Sequence, residues 1–183
     1  MTERITDRYL VHQMVAADAL NPINDAQDHP RLPTSIRGAE YSGGRLSNFI
    51  TVESLAQQFI ARTLPKSQWT HETHLRVGLW HVLHHGEQKA MDLLRERIRV
   101  YNESVGTSNT ETSGYHETIT KFYVMIIDRF LATADRTLST DELAMQLLTR
   151  YRGRDLPLTY YSRGLLFSTQ ARLHWVEPDL SCI

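Results

Sequence analysis

The segment from about Tyr115 to Thr133 carries Phe122, Tyr123, Val124, Met125, Ile126, Ile127, Phe130 and Leu131, spread around much of a helical circumference. A helix apolar on so many sides has to be enclosed by other elements, so the fold must be built around it. The neighbours it needs are helical by pattern as well. Val52, Leu55, Ala56, Phe59 and Ile60 recur at i, i+3, i+4, i+7 and i+8, with Thr51 placed to cap and Pro65 just past the end. A second helix follows Thr70 and stops near Gly86. A third runs from Glu87 to about Val105, with Ala90, Leu94, Ile98 and Tyr101 on one stripe, and ends at Gly106. Ser113 is the predicted N-cap of the apolar helix. Beyond it, the capping box Ser139 to Glu142 opens a helix that turns Leu143, Leu147 and Tyr151 inward and closes at Gly153.

The tail reads as an extended stretch, one short helix after Ser168 and a stop at Pro178. No run alternates apolar and polar residues long enough for a strand, and no repeat is visible. The predicted class is all-α: a single-domain helical bundle of about five main helices over 49–183. Residues 1–48 precede it, as a helix over 4–20 and an irregular arm over 21–46 with three prolines and three glycines. That arm suggests packing on another subunit, a homo-oligomer contact.

A chain of 183 residues with 41% hydrophobic content fits one domain with a sizeable core. Twenty basic residues against 21 acidic ones leave a net charge of −1, which provides no bulk field for a polyanion. Nucleic acid is therefore not an expected partner, although 17 arginines leave local anion recognition open. A lone Cys182 removes disulfides and thiolate-rich metal sites from consideration and fits a reducing compartment. The first residues are charged and lack the apolar core of a signal peptide, and no stretch approaches the ~20 apolar residues of a membrane span. The expectation is a soluble, cytoplasmic protein without a membrane partner.

Five of the nine histidines fall in "QWTHETHLRVGLWHVLHH", residues 68–85. On a helix His71, His74, His81 and His85 lie within an arc of about 80°, bordering the apolar face of Leu75, Leu79, Val82 and Leu83. His71 and His74, in the first turn, are spaced so that two imidazoles could converge on one ion. The bland alternative is local capping and hydrogen bonding, which is the commoner fate of an isolated H-x-x-H. His84 and His85 read as surface or core edge. A third imidazole is offered by "GYHET": His116, Thr120, Tyr123 and Ile127 share one face of the apolar helix, so His116 and Thr120 point inward.

Three imidazoles and a water make a catalytic zinc pattern, while two histidines and a carboxylate suit non-haem iron. The expected metal ligands are thus His71, His74 and His116, holding a divalent ion, Zn or Fe. Glu117 is the expected fourth ligand or general base, against the plain alternative of a helical pair with Lys121, and Tyr115 is a weaker catalytic candidate. Asn102, Asn109, Thr110 and Thr120 are the expected substrate-binding groups around the polar loop "GTSNTETSG". Arg95, Arg97 and Arg99 alternate along their helix and read as a solvated face.

The stretches W-T-H-E-T-H-L-R-V, residues 69–77, and Y-N-E-S-V-G-T-S-N-T-E-T-S-G-Y-H-E-T-I-T, residues 101–120, resemble a group of small bacterial proteins of unassigned function. "LFSTQARLHWVEPDL", residues 166–180, is similar to the same group's tail. The resemblance covers roughly residues 49–180 and implies no reaction. The leading expectation is a metal-dependent hydrolase or oxygenase acting on a small molecule. Its rivals are a non-catalytic helical module, with a buried His/Asn network around an organic ligand or a partner chain, and metal-free acid–base catalysis by His116 and Glu117.

Overall fold

The computed structural model describes residues 50–183. The predicted helix over 4–20, the arm over 21–46 and its expected subunit contact lie outside the described residues. Within them the chain is all-α, with no strand. The elements are α1 (Val52–Ile60), a 3-10 turn (Lys66–Gln68), α2 (His71–Ser104), α3 (Glu117–Thr133), α4 (Thr140–Tyr151), a second 3-10 turn (Leu156–Thr159), α5 (Arg163–Leu166) and α6 (Thr169–Leu173).

Most helix starts follow from the capping residues. The side chains of Thr51, Thr70 and Ser139 accept main-chain N–H bonds from Ser54, Thr73 and Glu142, and Glu142 reaches back to complete the capping box. The two helices expected on either side of Gly86 are both present and meet at a kink there, where φ of 71° and ψ of 167° are non-helical; together they make up α2. The tail holds more helix than expected: Ser168 caps α6 as anticipated, but Ser162 also caps the single turn of α5.

At the start of α3 the structure differs from the sequence reading. The cap is His116, not Ser113: its Nδ1 accepts from the Ile119 N–H at 3.3 Å. Gly114 turns the chain at φ 76°, where a Cβ would lie 2.6 Å from the Ser108 carbonyl oxygen, and His116 then enters in extended geometry. The helix therefore opens three residues later than a Ser113 cap allows.

α3 is enclosed from two sides, as its composition requires. Val124, Ile127, Phe130 and Leu131 join the core formed with α1, α2 and α4. Phe122 and Ile126 join Tyr161, Leu166, Ala171 and Val176 from the C-terminal segment. That segment is pinned to α3 by Thr118, buried completely, which donates to the His174 carbonyl and accepts from the Val176 N–H. The same pinning sets α5 and α6 against the half of α3 that carries Thr120 and Tyr123.

Candidate functional site

α2, α3 and the segment 154–172 do not close completely on one another. Between them lies a cavity of about 100 Å³. Its walls are mostly aliphatic and aromatic: Leu75, Val77 and Gly78 from α2, Val124 and Ile127 from α3, Leu166 and Phe167 from the tail. At Gly78 the α2 backbone leaves room for the Ile127 side chain: a Cβ there would sit 2.8 Å from Ile127 Cδ1. The lining positions Thr120 to Ile127 span two turns, so the cavity extends roughly 10 Å along α3.

The polar groups on this apolar lining are few and distinct. His71, 7% exposed, and Tyr123 meet edge-on with ring centroids 5.2 Å apart. His71 Nε2 and the Tyr123 hydroxyl are both buried and have no hydrogen-bond partner. Burial and then the charge of Arg154 push the His71 imidazole below its ordinary range, against weaker upward effects from the Tyr151 main chain and Glu72. Burial, with Asp155 nearby, raises the Tyr123 phenol. Both side chains are thus neutral at physiological pH. Arg154 and Asp155, which are exposed, also line this cavity.

The remaining cation is Arg172, only 5% exposed and also on the lining. Its Nη1 donates to the carbonyls of Gly114 and Tyr115 at 3.1 and 3.2 Å. No carboxylate lies within ion-pair distance of it among the described residues.

A second cavity of about 60 Å³ adjoins the first, and Trp69, His74, Ile98 and Thr120 line both. His74 lies against Trp69, the rings tilted by 38° with centroids 3.8 Å apart, and donates from Nδ1 to the Thr70 carbonyl at 2.6 Å. Desolvation lowers its pKa to about 4, the Thr70 carbonyl opposing. Asn102, Tyr115 and His116 complete the polar side of this smaller space. Five of the nine side chains expected from the sequence, His74, Asn102, Tyr115, His116 and Thr120, are therefore brought around one small cavity, and His71 stands on the larger one beside it.

Those imidazoles are not arranged as metal ligands. Among the described residues no group of three or more His, Cys, Asp or Glu side chains is placed to hold an ion. His116 has both nitrogens engaged, Nδ1 as the α3 cap and Nε2 donating to the Leu166 carbonyl at 3.0 Å. It is fully buried, and desolvation together with Arg172 takes its pKa down to about 3. His71, His74 and His116 thus do not form a group that could hold an ion, and capping α3 and anchoring α5 use both nitrogens of His116, while His71 Nε2 is left unpaired.

Glu117 likewise has a structural partner and lines neither cavity. Arg95 grips both its oxygens, at 3.0 and 2.7 Å, and the Tyr115 hydroxyl donates to it at 2.9 Å. Burial works upward on this carboxyl but is outweighed by those hydrogen bonds and by the charges of Arg95 and Arg99, leaving it below the usual range. The arginines of α2 are exposed or only partly buried, as expected, but each also has a partner: Arg95 holds Glu117, Arg97 donates to His81 Nε2 at 2.8 Å, and Arg99 lies over the Tyr115 ring.

The expected loop contacts with substrate are also reassigned. Asn109 accepts from Asn102 Nδ2 and the Tyr115 N–H and donates to the Arg99 carbonyl, and so holds the loop shut on itself. Thr110 is exposed and bonds within its own turn. Neither lines a cavity. Tyr123 and Arg172, which the sequence reading did not select, do. Tyr123 was within reach, on the same face as His116 and Thr120, but nothing in the local spacing around Arg172 ties it to a helix fifty residues earlier. In comparisons with known proteins, neither a family model, nor a curated protein, nor a solved structure matches this chain.

Proposed function

We propose that this protein is a small-molecule binding protein whose ligand occupies the cavity between α2, α3 and the segment 154–172. One observation carries the reading: His71 Nε2 and the Tyr123 hydroxyl, on an otherwise apolar lining, are buried without partners. An unmade hydrogen bond at a buried polar atom costs about 1–3 kcal/mol, so such groups are normally paired. Apolar walls with a few convergent polar groups are the usual make-up of a site for a small organic molecule. At about 100 Å³ the cavity is smaller than the roughly 150 Å³ one that takes up benzene, which limits the ligand to a small molecule. The reading is non-catalytic, because the expected acid–base pair is used structurally: Glu117 by Arg95, His116 by Ile119 and Leu166.

Thermal unfolding in the presence of small aryl and branched aliphatic compounds, alongside zinc and ferrous ions, tests this. A ligand present at a hundred times its Kd should stabilise the protein by about 2.7 kcal/mol. The expected result is stabilisation by at least one organic class and none by the ions. Stoichiometric binding of a metal, with no response to any organic compound, overturns the proposal.

A further inference from the structure

Charge on the cavity wall is unbalanced. Two guanidiniums, Arg154 and Arg172, stand against one carboxylate, Asp155. The two arginines differ in kind. Arg154 and Asp155 are exposed, so water screens their charges more than that of a buried group. Arg172 is buried and meets only carbonyl dipoles, while the nearest buried acid on α3, Glu117, is already held by Arg95. A buried cation without a counter-charge is costly and calls for an anion. The histidines that line the two cavities, His71, His74 and His116, are neutral and supply none.

From Arg172, beside Gly114 and Tyr115 near the start of α3, the lining runs past Thr120 to Tyr123 and His71. The charged and the neutral polar groups are thus at different places along an apolar wall. We infer that the ligand is a small carboxylic acid with an apolar, aryl-sized body, its carboxylate paired with Arg172 and its far end against His71 and Tyr123. Arginine suits this partner because its planar fork presents two parallel donors to a carboxylate. Nη1 is shared with the loop carbonyls, so the carboxylate meets the remaining donors of the fork. The inference rests on the proposed binding function and narrows it to anions.

The test compares benzoate with benzamide, which have the same shape and differ in charge, by calorimetric titration of the native full-length protein at neutral pH. Benzoate should bind at least about tenfold more tightly, the worth of a charge-assisted hydrogen bond. In Arg172→Gln that preference should fall to near unity with benzamide affinity retained, whereas Arg154→Gln should change it little. Arg172 also ties down the 114–115 main chain, so if Arg172→Gln fails to fold, the acid-to-amide ratio on the native protein decides without it. Equal or tighter binding of benzamide overturns the carboxylate and leaves the binding site standing, with Arg172 a loop anchor. Binding of neither compound, nor of toluene, removes the site itself and the inference with it.

Discussion

His71 and Tyr123 face each other edge-on at 5.2 Å on the cavity wall, and the polar atom of each is buried without a partner. The fold leaves His71 Nε2 and the Tyr123 hydroxyl unused, although the His71 ring also meets the Tyr151 main chain. Removing the hydroxyl alone, in Tyr123→Phe, should therefore leave stability unchanged or raise it by up to about 1 kcal/mol, since the fold loses an unpaired group and no hydrogen bond. Urea unfolding checks this. A loss above about 1 kcal/mol means that the hydroxyl has a structural partner.

Three desolvated imidazoles set the acid limit. The pKa values of His74, His81 and His116 lie near 4, 4 and 3 against 6.5 for a free histidine, burial being the main cause in each. Between those values and 6.5 the unfolded chain holds more protons than the folded one, so stability falls as pH drops through that window. It should be flat above pH 6.5 with respect to these groups. Each unit of depression is worth about 1.4 kcal/mol, so the loss should reach several kcal/mol by about pH 4. Denaturation curves across that range measure the slope; stability that holds constant down to about pH 4 contradicts the neutral-histidine assignment.

How much of this was legible beforehand depends on range. The helix caps at Thr51, Thr70 and Ser139, the bend at Gly86 and the enclosure of α3 are local or periodic properties, and sequence carries them directly. Inward placement of His116 and Thr120 was equally local. What His116 does there depends on Leu166, fifty residues away, and on a glycine turn that displaces the cap from Ser113. The pairing of Glu117 with Arg95 is likewise a contact between helices that no spacing rule specifies.

Glu117 provides a direct contrast between a catalytic and a structural role. Its carboxylate is mostly buried while Arg95 is partly exposed, at 10% and 37% of the side chains. Glu117→Gln should cost on the order of 1–3 kcal/mol, short of the cost of breaking a fully buried pair. In a double-mutant cycle with Arg95→Gln, a coupling energy of at least about 0.5 kcal/mol is expected from unfolding data. Additive effects mean that the pair does not hold α2 to α3.

Gly114 and Gly78 should respond differently to a methyl group. Gly114→Ala meets both a left-handed backbone and the Ser108 carbonyl at 2.6 Å, so it should destabilise by more than the roughly 1–2 kcal/mol of the backbone term alone. Gly78→Ala gains about 0.5–1 kcal/mol of helix propensity but presses on Ile127 Cδ1 beside the cavity. Its stability should stay near that of the native protein while benzoate affinity drops severalfold. Calorimetry and thermal unfolding on the two variants separate these effects.

The central claim is that the cavity between α2, α3 and the tail is a binding site. Methyl-resolved NMR of the native protein during a benzoate titration tests it most directly, through the lining residues Leu75, Val124, Ile127 and Leu166. Saturable shifts concentrated on those four, with the methyls of Val52 and Leu143 in the α1 and α4 core unmoved, are the predicted result. Shifts that never saturate, or that scatter across the surface while the lining methyls stay still, contradict it.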